Sequence, residues 1–355
     1  MGCGPLHSIA RVGSLPRVHD ECPAEAVPAL TGASGFVGSH IADELCRRGH
    51  TVRCLLRPTS DDRWLRKKPY ELRRCLFDDA GSIAEAIGNA SAVIHTAGVI
   101  AARSMEEFME GNRGVTERML AATGNVATSG FQRFVHISSL AVCGPAPSLD
   151  QPLTEDSPLH PITPYGISKK AAEEAVHAWH ERLPITIIRP PAVYGERDQA
   201  TLPFFQAIRR GVIPLIGFSS KWVSLVHIRD LARGIVDALE SNATVGKTYF
   251  VSSEEFYTWK QIGTTAAAVM GSRAIPVVIP HALVLTIAAL SGWIGHLQGK
   301  APVLDYHKGR DIIQRYWICS PERARTDFGY RQELSLERGI AETIEWYTEH
   351  GWLRK

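Results

Sequence analysis

Short apolar runs alternate with helix-forming stretches through most of the chain. The apolar runs predict strands at residues 26–30, 51–56, 92–95, 131–137, 185–188, 222–228 and 248–251, with one more ending near Phe77. The stretches between them predict helices at 39–48, 82–88, 106–122, 168–181 and 230–240, and an amphipathic helix at 336–352. This alternation is typical of an α/β fold, a doubly wound parallel sheet with helices on both faces.

One long apolar segment interrupts this pattern. Residues 274–299 contain no Asp, Glu, Lys or Arg, and their length approaches that of a membrane span. Pro276 and Pro280 break the start of the segment and leave only about 282–294 helical, too short to cross a bilayer. We favour a buried or substrate-lining helix, with peripheral membrane contact and a true span as the alternatives.

The composition is that of a soluble globular protein. Of the 355 residues, 45% are hydrophobic and 21% are charged, and the formal net charge is +2. The length allows one large or two modest domains. Because the net charge is so small, there is no electrostatic case for nucleic acid as a partner.

The cysteines and histidines do not indicate a metal site. None of the seven Cys pairs as C-x-x-C, and the fourteen His lack H-E-x-x-H spacing. We interpret the Cys as reduced thiols of a cytoplasmic protein. Residues 1–25 lack the apolar core of a signal peptide and the Ser or Thr of a myristoylation signal, so we expect a poorly ordered extension there.

A glycine-rich turn follows the first predicted strand and opens the first predicted helix. It places glycines at 32, 35 and 38. Glycines allow the backbone to approach a pyrophosphate, and the free N–H groups and dipole of the helix attract the anion. The residues expected to hold a dinucleotide here are Gly32, Ser34, Gly35, Phe36, Val37 and Gly38.

The residue after the second predicted strand bears on the choice of dinucleotide. An acid at this position would bind the ribose hydroxyls of NAD, whereas Arg57 can pair with the 2′-phosphate of NADP. The next acids are Asp61 and Asp62. We therefore favour NADP(H) as the cofactor and keep NAD(H) as the alternative.

Tyr165 and Lys169 are the candidate catalytic pair. Thr163 can cap a helix and Pro164 suits its first turn, so the two side chains, four residues apart, share one helical face. An ammonium beside a phenol favours the phenolate, which makes the Tyr a usable proton donor and acceptor. Alone this spacing is common, but Ser138-Ser139 end the fifth predicted strand, where doubly wound sheets keep their chemistry.

Taken in order, these motifs resemble the extended short-chain dehydrogenase/reductase superfamily, the NAD-dependent epimerase/dehydratases. The similarity covers about residues 26–355 and rests on TGASGFVG at 31–38, HTAG at 95–98, Ser138-Ser139, Tyr165-x-x-x-Lys169 and RPPAVYG at 189–195. It implies a catalytic Ser139, Tyr165 and Lys169. The further residues expected to border the cofactor are Asp79, Thr96, Ala97, Gly98, Asn112, Ile137, Tyr165, Lys169, Pro190 and Val193.

The resemblance also implies a domain division. Residues 26–195, completed by about 223–252, would form the Rossmann-type NAD(P)-binding domain. Residues 196–222 and 253–355 would form a smaller, C-terminal substrate-binding domain. A homodimer through the helices near 106–122 and 165–181 is implied in the same way.

Two departures from the family pattern indicate the class of substrate. Leu76 stands where the family has an adenine-contacting Asp, and Val223 stands where members that bind nucleotide sugars have an Arg that grips the phosphate. Lys221 is a possible but weaker substitute. The chain is thus more similar to the branch that holds 3β-hydroxysteroid dehydrogenases, sterol-decarboxylating dehydrogenases and dihydroflavonol-type reductases.

Three functions remain open from the sequence. The leading one is an NAD(P)-dependent oxidoreductase that transfers a hydride between nicotinamide and a secondary alcohol or ketone of an apolar, sterol- or flavonoid-like small molecule. The second is an NAD-dependent nucleotide-sugar epimerase or dehydratase. The third is a non-catalytic nucleotide-sensing subunit, against which the intact Ser139, Tyr165 and Lys169 argue.

Overall fold

The computed structural model describes residues 27–297 and 305–353. The predicted N-terminal extension, residues 1–25, lies outside the described residues. The strands are β1 (Pro28–Thr31), β2 (Arg53–Leu56), β3 (Glu71–Arg74), β4 (Ala92–His95), β5 (Arg133–Ile137), β6 (Ile185–Arg189), β7 (Ala192–Tyr194), β8 (Val212–Ile216), β9 (Trp222–His227), β10 (Lys247–Phe250), β11 (Phe256–Thr258), β12 (Ile275–Ile279) and β13 (Tyr316–Trp317). The α-helices are α1 (Phe36–Arg47), α2 (Ala80–Ile87), α3 (Met105–Met109), α4 (Val115–Val126), α5 (Pro164–His177), α6 (Leu202–Arg209), α7 (Ile228–Glu240), α8 (Trp259–Val269), α9 (His281–Leu297), α10 (Tyr306–Ile312), α11 (Glu322–Phe328) and α12 (Leu336–Glu349).

A seven-stranded parallel sheet forms the centre of the molecule. Its strand order is β10-β6-β5-β4-β1-β2-β3, so the order reverses between β1 and β4. Apolar side chains of α1 and α7 pack on one face, and those of α2, α4 and α5 pack on the other. The prediction of a Rossmann-type, doubly wound sheet is confirmed, and its reversal point provides the crevice in which such sheets bind ligands.

A smaller set of strands and helices lies beside this sheet. β9 pairs with β7, β11 and β13, while β8 pairs in parallel with β12. α6, α8 and α12 enclose a third apolar cluster with these strands. The predicted strand at 222–228 therefore belongs to the second sheet, and only α7 and β10 complete the large one. Hydrophobic periodicity does not tell which sheet a strand joins.

Several boundaries differ from the predicted ones for local reasons. β1 begins at Pro28. Because Pro28 is the first residue of the strand, its missing N–H removes no hydrogen bond of the sheet. α1 begins at Phe36, directly after the extended Gly35 and three residues before the predicted start. The predicted helix at 106–122 is interrupted by a wide π turn, Glu110–Gly114, between α3 and α4.

The uncharged segment was predicted to form a buried or substrate-lining helix; it is not buried, and its role beside a substrate stays a prediction. It divides into the exposed strand β12 and the helix α9. On α9, Val284 and Ala288 are buried, whereas Leu283, Leu290 and Trp293 are exposed. Among residues 27–297 and 305–353, no helix combines the length and hydropathy that crossing a bilayer requires.

Candidate active site

The glycine-rich turn between β1 and α1 has the shape that a dinucleotide requires. Gly32 adopts a φ of 69°, and a Cβ on Gly38 would clash with the Gly32 carbonyl. Gly35 caps α1 in an extended conformation without a side-chain cap bond, so no side chain of residues 27–297 or 305–353 caps the first N–H groups of the helix. These N–H groups can bind a phosphate, and the turn fits the predicted cofactor.

The loop after β4 is held against this turn. The hydroxyl of Thr96 donates to the Thr31 carbonyl over 2.6 Å, and the Ala97 N–H donates to the Thr31 hydroxyl over 3.2 Å. Thr96, Ala97 and Gly98 retain solvent-exposed surface beside the turn. The backbone of both loops is thereby fixed at the reversal point of the sheet.

The side chain of Asn112 fixes the position of this loop through hydrogen bonds. It is buried in the π turn, where its amide nitrogen donates to the Val99 carbonyl over 3.1 Å and to the Ser168 hydroxyl over 2.8 Å. Its amide oxygen accepts the Val99 N–H over 2.9 Å, and Thr116 donates to the Asn112 carbonyl. We had expected Asn112 at the cofactor, but its amide is engaged in positioning the loop that would border the cofactor.

Two arginines lie next to each other after β2, where the adenosine of a dinucleotide is expected to bind. Arg57 follows β2 and is exposed, as predicted. The guanidinium of Arg74 donates to the carbonyls of Arg57 and Pro58 over 3.1 and 2.9 Å. The sequence analysis missed Arg74, because only the register that pairs it with Leu56 brings it beside Arg57.

Asp79 has a structural partner in this region. Its carboxylate caps α2 by accepting the N–H groups of Gly81 and Ser82 over 2.9 and 3.2 Å. Leu76, which replaces the acid of the family pattern, is 52% exposed. Asp79 thus fixes the start of α2, and its role at the adenine stays a prediction.

Ser139, Tyr165 and Lys169 come together at the carboxyl end of β5. Thr163 caps α5 by accepting the Gly166 N–H over 3.1 Å, so the predicted helix start is confirmed. The Ser139 hydroxyl lies close enough to the Tyr165 phenol to lower its pKa. The buried Lys169 ammonium donates to the Ile137 carbonyl over 2.6 Å.

The electrostatics differ from the expectation for the Tyr–Lys pair. Burial raises the pKa of Tyr165, the Ser139 hydroxyl lowers it, and the Asp311 carboxylate on α10 raises it further. Burial lowers the pKa of Lys169 to about 8, against the opposing effect of Glu173. The phenol is therefore kept protonated, and Lys169 is not among the groups that shift its pKa in this structure.

Ser138 and Ser139 have different environments. Ser139 accepts the Ala141 N–H over 3.1 Å and is partly exposed. The Ser138 hydroxyl is buried and has no hydrogen-bond partner among the described residues. Of the two hydroxyls, the one of Ser139 acts on the pKa of the candidate proton donor, Tyr165.

A buried ion pair joins α5 to β6. The Arg189 guanidinium donates to both carboxylate oxygens of Glu173, over 2.9 and 2.5 Å, and the two side chains are 4% and 0% exposed. At the end of β6, the Pro190 carbonyl accepts the Leu140 N–H over 2.9 Å. Arg189 was recognised only as part of a motif and Glu173 was missed, because their spacing of sixteen residues carries no local signal.

The neighbouring part of the second sheet does not offer a phosphate clamp. Val223 is buried in β9, and the buried Lys221 ammonium donates to the Ile313 carbonyl. The suggestion that Lys221 replaces the missing Arg is therefore not supported. Val193, expected at the cofactor, lies in β7 and pairs with Val226 of β9.

The comparisons with known proteins decide the family. The model of the NAD dependent epimerase/dehydratase family matches residues 29–252. A ceramide reductase of Caulobacter vibrioides is 30% identical over 334 residues, which cover 94% of this chain and 98% of that protein. The chain belongs to the NAD-dependent epimerase/dehydratase family. This membership confirms the predicted resemblance and the prediction of a nicotinamide-dependent enzyme of the oxidoreductase type.

Two further similar proteins bear on the fold and the chemistry. The decarboxylating sterol-4-alpha-carboxylate 3-dehydrogenase of Dictyostelium discoideum is 26% identical over 331 residues, covering 88% of this chain and 98% of that protein. The dTDP-glucose 4,6-dehydratase DesIV of Streptomyces venezuelae, solved with NAD and TYD bound, superposes with a TM-score of 0.74. It is 23% identical, and the match covers 92% of this chain and 99% of that chain. This last similarity shows the shared fold.

Proposed function

We propose that the protein is an NAD(P)-dependent ketoreductase or dehydrogenase that acts on a secondary alcohol or ketone of an apolar substrate. The observation that carries this proposal is the arrangement at the carboxyl end of β5. The Ser139 hydroxyl lies there beside Tyr165, whose pKa is raised so that the phenol is protonated, and the Lys169 ammonium is anchored on the same strand end. These groups supply a proton donor, an oxyanion partner and a positive charge.

The residues of the chain have separate tasks in the reductive direction. When bound, the reduced nicotinamide supplies the hydride that reaches the carbonyl carbon. Tyr165 donates its phenolic proton to the carbonyl oxygen and regains a proton from solvent, while Ser139 donates a hydrogen bond to that oxygen. Lys169 has two N–H donors beyond the one given to Ile137, and these would hold the nicotinamide ribose and stabilise the transient phenolate.

The substrate is proposed to be a lipid rather than a nucleotide sugar. The ceramide reductase and the sterol dehydrogenase, named for apolar molecules, both match nearly the whole chain. Val223 and the engaged Lys221 leave this part of β9 without the guanidinium that would grip a nucleotide phosphate. A keto group on a ceramide-like lipid fits these observations best.

A substrate panel tests this proposal. The purified protein is titrated with NADPH and NADH by fluorescence and then offered a keto derivative of ceramide, a ketosteroid, a flavonoid ketone and UDP-glucose. We expect net consumption of reduced cofactor with an apolar ketone. Protein that purifies with bound NAD and converts UDP-glucose without net consumption would instead indicate the epimerase or dehydratase.

NADP(H) is the proposed cofactor, on the basis of Arg57 and Arg74. We expect Arg57→Ala to weaken NADPH binding about 10- to 100-fold, because a charged hydrogen bond to the 2′-phosphate is lost. NADH binding should change little. The measurement is a fluorescence titration with both nucleotides, and Arg63→Ala, an exposed arginine paired with Asp61, is the control. Equal losses for the two nucleotides would contradict the assignment.

Ser139 is the proposed hydroxyl of the catalytic set. We expect Ser139→Ala to lower kcat about 10²-fold, the usual loss when one oxyanion donor is removed. Ser138→Ala is the matched control and should retain wild-type kcat, because the Ser138 hydroxyl is buried without a partner among the described residues. Steady-state kinetics with the same ketone decide between them, and the reverse result would transfer the role to Ser138.

The domain division, the homodimer and the cytoplasmic location remain proposals. The face that would form a dimer lies on α4 and α5, whose helices contact each other. Analytical ultracentrifugation of the full chain measures the oligomeric state directly.

A further inference from the structure

An exposed apolar face is formed by β12, the turn after β8 and α9. We define it by Phe218, Val278, Leu283, Ile287, Leu290 and Trp293, whose exposures run from 40% for Val278 to 87% for Phe218. The turn with Phe218 is joined to the end of β12, because the Gly217 N–H donates to the Ile279 carbonyl over 2.8 Å. The α9 members follow helical spacing and form one stripe.

The apolar face is turned outward by firm packing on the other side of α9. Val284 and Ala288 are buried there, and a Cβ on Gly309 of α10 would lie only 3.0 Å from the Ala288 Cβ. The two helices are therefore in close contact through Gly309. Soluble monomeric proteins rarely expose so large a contiguous apolar patch unless it binds something.

The segments that supply the apolar face carry charges of one sign, and the nearest acids, on α10, are engaged: Asp305 caps that helix and Asp311 pairs with Lys308. Residues 199–229 and 256–297, which supply the face, contain no Asp or Glu. The exposed Arg210 and Arg273 lie at its edge, just before β8 and β12, where the Ile275 N–H donates to the Gly211 carbonyl over 3.0 Å. This bias is local, because the chain as a whole has 39 basic and 37 acidic residues.

We propose that the apolar face docks on the surface of an anionic lipid bilayer. Apolar and aromatic side chains would enter the interfacial layer, and the arginines at the edge would contact anionic headgroups. A second copy of the chain is a poorer occupant, because the segments that supply its face contain no carboxylate to pair with Arg210 and Arg273. The chain would thus lie on the membrane and not cross it.

Docking would let a lipid substrate pass from the bilayer to the active site. This part of the inference rests on the proposed function. α9 packs on α10, and α10 carries Asp311, the carboxylate that acts on Tyr165. A lipid that leaves the bilayer beside α9 therefore enters next to the catalytic residues. The docking itself does not depend on the reaction.

Vesicle sedimentation of the full chain, without cofactor or substrate, tests the docking. We expect binding to vesicles of phosphatidylcholine with phosphatidylglycerol, weaker binding to phosphatidylcholine alone, and loss at high salt. Phe218→Ser with Trp293→Ser should weaken the partition about tenfold or more. Arg210→Glu with Arg273→Glu should have a similar effect on anionic vesicles alone.

Two controls separate docking from folding and from catalysis. Val245→Ser removes an apolar side chain that is 44% exposed on the large sheet's side, and it should bind vesicles like the wild type. NADPH titration of each variant shows whether its cofactor-binding fold is intact.

Absence of vesicle binding by the wild type, or binding by the Phe218 and Trp293 double variant that equals that of the wild type, would overturn the docking. A dimer that this variant dissociates, without vesicle binding, would identify a second copy as the occupant. Either result leaves the ketoreductase proposal standing.

Discussion

Tyr165→Phe will lower kcat with an apolar ketone about 10²- to 10⁴-fold, the usual contribution of a positioned proton donor. The phenyl ring keeps the packing of Tyr165 at the start of α5 but has no proton to give. The Ser139 hydroxyl remains in place, because it accepts the Ala141 N–H. Steady-state and single-turnover kinetics measure the effect.

NADPH binding is the internal control for this variant, because Tyr165→Phe should leave the glycine-rich turn untouched. Tyr306→Phe, which removes an exposed phenol from α10, is the matched control and should keep wild-type kcat. Turnover within a few-fold of the wild type in Tyr165→Phe would remove this residue from the mechanism.

Glu173→Ala will lower the free energy of unfolding by about 3–5 kcal/mol, because it leaves the Arg189 guanidinium buried without its counterion. The pair fastens the helix that carries Tyr165 and Lys169 to β6, so the active site should loosen as well. Urea denaturation followed by circular dichroism measures the change.

Glu174→Ala is the matched control for this change, since Glu174 is the exposed neighbour on the same helix. Its loss should cost about 0.5 kcal/mol or less. Replacing both Glu173 and Arg189 by Met should recover most of the stability, because an apolar pair leaves no buried charge. A small loss in Glu173→Ala, equal to that of the control, would show that Arg189 finds other partners.

The predictions that succeeded rest on short-range chemistry. Each of them depends on a few consecutive residues: the glycine turn, the Thr163 cap with Pro164, and the strand that ends at His95. The backbone conformation of such segments follows from steric limits and local hydrogen bonds. The sequence therefore sufficed to locate the candidate catalytic residues and the phosphate turn.

The features that were missed depend on contacts between distant segments. Arg74 reaches Arg57 through strand register, and Glu173 reaches Arg189 through the packing of α5 on the sheet. Nothing near 222–228 tells that this strand leaves the large sheet for the second one. The apolar stretch after Ala274 was assigned to the interior because hydropathy does not report which side of a helix is covered.

The π turn at Glu110–Gly114 sets a limit on how this chain can vary in length. A wide turn accommodates one more residue than an α-helical turn, so the segments before and after it are out of phase by about 100°. Because of this offset, Asn112 can hydrogen-bond to Val99 while Thr116 hydrogen-bonds to His95 over 3.0 Å. Deleting a single residue here would restore a regular helix and rotate either Asn112 or Thr116 away from its hydrogen-bond partner. Homologous chains should therefore tolerate substitutions in the turn far better than the deletion of one residue.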